Sequence, residues 1–69
     1  MDKAELENRF NYHAPNADQT IHYSAIRQTA HEFAQYLVTA CPESRELSLA
    51  ITHLEEAVMW ANAAIARRS

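Results

Sequence analysis

A chain with no glycine and thirteen alanines is strongly committed to helix. Glycine supplies the left-handed backbone used in tight turns, and alanine has the highest intrinsic helix propensity. The punctuation left is Pro15 and Pro42, which inside a helix would each remove a hydrogen bond and clash with the preceding turn. Together they divide the 69 residues into three helical segments. A short helix is predicted over about residues 3–9, opened by Asp2 with Glu5 three positions on. A connector follows over residues 10–17, where Pro15 pushes Ala14 out of helical geometry. A second helix is predicted over about 18–40, capped by Asp18 or Thr20. The third is predicted over about 43–68, with Pro42 or Ser44 at its first turn and Arg67 and Arg68 at its negative end.

The apolar pattern asks for more than a hairpin. On the second helix Ile26, Ala30, Phe33, Leu37 and Ala40 form a heptad-like seam, widened by Tyr23 and Ala34. Leu47, Ile51, Leu54, Val58, Ala61 and Ile65 form a matching seam on the third. Beside that seam, about 60° round the helix, runs a line of Ala50, Ala57 and Ala64. Beyond it lie His53, Trp60 and Arg67, with Leu49 alongside. One partner helix cannot cover so wide an arc. The expectation is an all-α single domain, a short N-terminal helix plus a long antiparallel helical hairpin, that self-associates.

Composition narrows the function. Six basic and nine acidic residues leave a net charge of −3, against coating DNA or RNA but compatible with a small anion held by a few arginines. The single cysteine, Cys41, cannot form an internal disulfide. No signal-peptide pattern opens the chain, and no apolar run approaches the ~20 residues that span a bilayer, so a cytosolic setting is expected.

Catalytic patterns are lacking. A phosphate-binding loop and a nucleophile elbow both need glycine. Cys41 precedes Pro42 at a helix end, which suits a packed side chain better than a nucleophile. His13, His22, His31 and His53 include no i, i+4 pair, and His53 with Glu56 supplies only two ligands, so neither metal nor cofactor is expected. Glu55 and Glu56 diverge by about 100° and cannot converge on one substrate. Trp60 and Met59 read as interface anchors.

Anion binding fits best. Tyr12 and His13 lie on the connector, and Arg27 lies one turn from Tyr23 at the edge of the apolar stripe. Tyrosine offers a face on which a base can stack, and an arginine fork matches phosphate oxygens. A tyrosine covering a helix end and an arginine in a surface ion pair would account for the same residues. The residues alone therefore reach an oligomeric helical hairpin with a candidate small-anion pocket.

SRELSLAITHLEEAVMWANAAIAR, residues 44–67, resembles the helical hairpin signature of phage anti-CBASS sponge proteins of the second type, a hairpin shared with the anti-Thoeris sponges. RFNYHAP at residues 9–15 and the AIR of residues 25–27 are also similar to that family. The anti-Thoeris relatives carry additional N-terminal structure, which makes the anti-CBASS branch the expected one. The resemblance implies a non-enzymatic viral immune-evasion protein, acting in the cytoplasm of the infected bacterial host. It would sequester cyclic oligonucleotide signals, 3′,3′-cyclic dinucleotides and also cyclic trinucleotides, without cleaving them. It also implies an interlocked homo-oligomer, typically a hexamer, with dinucleotides bound between paired protomers. Tyr12 matches the base-stacking tyrosine and Arg27 the phosphate-binding residue, with Thr29 and His31 as competing positions; His13 and Pro15 would wall that pocket. Arg67, with Asn8 and Thr29, would serve a trinucleotide site. The alternative is a helical interaction protein that inhibits a host protein through Trp60 and Met59.

Overall fold

A computed structural model describes all 69 residues as three α-helices without a strand: α1 (Lys3–Phe10), α2 (Ala17–Ala40) and α3 (Arg45–Arg68). Each begins at a side-chain cap. The Asp2 carboxylate accepts the Glu5 N–H at 2.8 Å. Asn16, rather than Asp18 or Thr20, caps α2. Its side-chain Oδ1 takes the Gln19 N–H at 2.8 Å while the Gln19 side chain takes the Asn16 N–H at 3.1 Å, satisfying two orphan donors at once. Ser44 caps α3 by accepting the Leu47 N–H at 3.1 Å, which leaves Pro42 and Glu43 in the loop. α2 stops at Cys41, held extended by the proline that follows.

α2 and α3 run antiparallel. Val38 lines one hollow with Leu47 and Ile51 near the loop, Phe33 shares a groove with Leu54 and Val58, and Gln19 reaches the Ile65 carbonyl at the far end. The half-buried residues of α3 are led by the expected seam of Leu47, Ile51, Leu54, Val58, Ala61 and Ile65. On α2 the seam is Gln19, Tyr23, Ile26, Ala30, Ala34 and Leu37. Phe33 and Ala40, expected within it, lie outside, and Phe33 stays 51% exposed. Ala30 and Ala34, both half-buried, take the seam positions between Ile26 and Leu37. The Phe33 ring turns instead into the lateral groove beside Ala25 and Ala57.

The fold is a single layer. Its extents are 46 × 29 × 13 Å, and the last is about one helix diameter. Not one residue is fully buried. A compact monomer of 7.9 kDa would expose about 4,400 Å². This chain exposes 5630 Å², an excess of about 1,200 Å². The radius of gyration tells the same story, 15.3 Å where about 11 Å is usual for this length. Stable domains pack two layers around a core, and the hairpin supplies one. Its two broad surfaces are both largely apolar and differ in the charged residues at their edges. One carries the apolar groove of Ile26, Phe33, Ala57 and Ala61, and the other an apolar hollow of Ala34, Ile51, Val58 and Met59 edged by Arg27, His31 and Glu55. No helix is long and apolar enough to cross a membrane.

Candidate functional site

The polar chemistry gathers at the open end of the hairpin, where α1, the start of α2 and the end of α3 meet. A helix ends with four carbonyls that lack an intrahelical partner, and at α3 side chains from elsewhere in the chain answer several of them. Asn8 Nδ2 donates to the Arg67 carbonyl at 3.2 Å, and Gln19 Nε2 donates to the carbonyls of Ile65 and Ser69 at 3.2 and 3.1 Å. Arg68 grips Glu5 with two bonds, at 2.6 and 3.1 Å, and Glu5 also accepts from Arg9 Nε at 3.1 Å. The connector is folded back by His13, whose Nε2 lies 2.7 Å from the Asn8 carbonyl.

This tethering builds an open concavity of about 500 Å³. Arg9, Asn11 and His13 form one wall, and Tyr23 and Arg27 of α2 form another. Asn62, Ala63, Ala66 and Arg67 of α3 form the floor and remaining wall. Three arginines thus line a single hollow that has no acidic residue in its lining, on a chain whose net charge is −3. The side chains of Arg27 and Arg67 enter no ion pair within the chain. Asn62 adds a buried Oδ1 with no hydrogen-bond partner. Glu5 stands just outside. Hydrogen bonds from Arg68 and then Arg9 draw its carboxyl down from the ordinary 4.5 to about 2, so it remains an anion at any physiological pH.

The residues singled out in the sequence are divided by this geometry. His13, Arg27 and Arg67 come together, so the two arginines expected at separate ligand sites share one hollow. Tyr12 sits next to His13 but is 86% exposed and outside the lining. Pro15 is an exposed connector residue. Thr29 lies in the apolar groove with Ile26 and Phe33, on the other surface. Asn8 acts as a tether to the Arg67 carbonyl. His31 shares an adjoining polar hollow with Ser24, Arg27 and Gln28. Sequence reasoning missed the polar lining residues Arg9, Asn11 and Asn62. Asn62 had a readable signal, being the one polar residue between Trp60 and Arg67 and next to the Ala61 seam position.

Chemically the hollow offers guanidinium and amide donors with a phenol, a set suited to holding phosphate oxygens. No three His, Cys, Asp or Glu side chains cluster so as to hold a metal ion. Cys41 caps the opposite end of α2, about 36 Å of helix away. The family model described as Acb2/Tad1, hairpin domain, matches residues 2–66. No curated protein and no solved structure matches the chain.

Proposed function

This chain belongs to the Acb2/Tad1 hairpin-domain family of phage cyclic-nucleotide sponges, and we propose that it sequesters the cyclic oligonucleotides of bacterial CBASS defence without cleaving them. The observation that carries this reading is the hollow lined by Arg9, Arg27 and Arg67 without a carboxylate. A cyclic dinucleotide is a compact dianion, and guanidinium forks bind its phosphates in a directional way. Tyr12 supplies the stacking face. Its 86% exposure suits a ring that meets ligand held against another protomer, so that two copies of Tyr12 and Arg27 face a two-fold symmetric ligand. His13 walls the same pocket, and Pro15, exposed on the connector, would join that wall in the assembly. A cyclic trinucleotide would draw on Arg67, with Asn8 holding its backbone in place, and on Thr29 of a second protomer, since Thr29 lies on the other surface of its own chain.

Self-association belongs to this reading. The excess surface of about 1,200 Å² per chain and the absence of any buried residue favour a homo-oligomer, for which we propose the hexamer. Retention without turnover is supported by the nearest imidazole, since His13 Nε2 is already engaged by the Asn8 carbonyl. The site of action is the cytoplasm of the infected host.

Calorimetric titration with cyclic diadenylate and cyclic triadenylate tests the proposal directly. We expect saturable binding, and chromatography of the denatured complex should return the nucleotide intact. Arg27→Ala should weaken dinucleotide binding at least tenfold, the scale of a lost charge-assisted hydrogen bond. Cleaved nucleotide would replace the sponge by a hydrolase. Absence of binding, together with stoichiometric capture of a host protein on the surface of Trp60 and Met59, would replace it by an inhibitor of that protein; these side chains are 66% and 60% exposed.

A further inference from the structure

We propose that Arg9 is a ligand-phosphate residue and that Glu5 is the positioning residue that aims it, an inference that rests on the sponge reading. Arg9 and Glu5 form an i, i+4 ion pair at 3.1 Å, with the Arg9 side chain 46% exposed. As a contribution to stability, such an exposed pair is worth little. Its directional effect is larger. Only Nε of Arg9 is bonded, so both terminal nitrogens, the two that form the outer prongs of the fork, are left unpartnered on a residue that lines the hollow.

The charge distribution supports the same assignment. Four arginines gather at this end of the hairpin: Arg9, Arg27 and Arg67 in the lining and Arg68 just outside. The one carboxylate side chain bonded to any of them is Glu5, and it is divided between Arg9 and Arg68. Like charges brought this close repel, and an anion seated among them relieves the repulsion. Glu5 is also well suited to hold without competing. The bidentate grip of Arg68 holds its carboxylate from α3, and Glu5, itself outside the lining, bonds to a lining residue only at the Nε of Arg9. A surface pair whose role was merely to stabilise α1 would not need its arginine in the lining of a cationic hollow.

The experiment is a double-mutant cycle on the full chain, read by calorimetric titration with cyclic diadenylate, with light scattering and circular dichroism to check assembly and helix content. Arg9→Ala should weaken binding about tenfold, and Arg9→Lys, which keeps charge but loses the fork, should fall between. Glu5→Gln should weaken binding severalfold in the wild-type background and cause no further loss in the Arg9→Ala background. Glu7→Gln, the same chemical change on the same helix, serves as the control and should leave affinity within twofold. The proposal is overturned if Arg9→Ala binds as tightly as wild type, or if Glu5→Gln costs as much without Arg9 as with it, which would make Glu5 a purely structural clamp. Wild-type protein that fails to bind any cyclic oligonucleotide would instead remove the sponge reading itself, so the two failures are distinguishable.

Discussion

Phe33→Ala separates the hairpin from the assembly it is proposed to form. Phe33 remains 51% exposed in the single chain, in a groove with Ala25, Leu54 and Ala57. A phenylalanine buries about 200 Å² when fully covered, so about 100 Å² awaits a second layer. At about 25 cal/mol per Å², and after subtracting the Cβ that alanine keeps, covering it is worth about 2 kcal/mol. The association constant of each interface that uses it should therefore fall roughly thirtyfold. Because no residue is buried within one chain, folding and association should be coupled, and the melting temperature of wild type should rise with protein concentration. Sedimentation across a hundredfold concentration range, with circular dichroism on the same samples, gives both quantities. Phe33→Ala should dissociate at higher concentrations than wild type and melt lower at equal concentration. The reasoning fails if wild type is a folded monomer at every concentration with a constant melting temperature. It also fails if Phe33→Ala assembles as tightly as wild type.

Trp60, 66% exposed in the single chain, should emit as a buried indole in the assembly and shift to the red on dilution; a concentration-independent spectrum would place it outside every interface. The Glu5 carboxyl is held at about 2 against an ordinary 4.5, so its contribution to docking α1 is fully present above about pH 4.5 and fades as pH falls toward 2. Hydrogen exchange should report loss of α1 protection over that interval in wild type, and a Glu5→Gln protein with the same pH profile would refute the assignment. Asn16→Ala removes the reciprocal cap of α2 and should cost about 1 kcal/mol of stability, seen as a lower denaturant midpoint, whereas Asp18→Ala should be nearly neutral at the cap. Equal losses from both substitutions would show that the capping box is not the operative start of α2.

The helices were legible because they depend on local rules. No glycine, two prolines and polar residues at their edges mark three segments, and the α3 seam could be listed residue by residue. The α2 seam was less legible. Heptad spacing alone chose Phe33, while the seam runs through Ala30 and Ala34 and leaves that ring half exposed. Arg27 and His13 could be marked as anion candidates from their residue types. Their convergence with Arg9 and Arg67 could not, since Arg9 and Arg67 are separated by most of the chain.

The sequence by itself determined helix content, the caps near Asp2 and Ser44, and an apolar arc too wide for one hairpin. All of these follow from spacing within a few residues, where backbone geometry converts sequence distance directly into spatial distance. The tertiary structure alone decided that α1 folds back onto the end of α3, through Glu5 with Arg68 and Asn8 with the Arg67 carbonyl. Those contacts satisfy charges and carbonyls left unpaired at one helix end, with partners found some sixty residues earlier in the chain. Periodicity carries no information at that distance, and it is this closure that draws the arginines around one hollow.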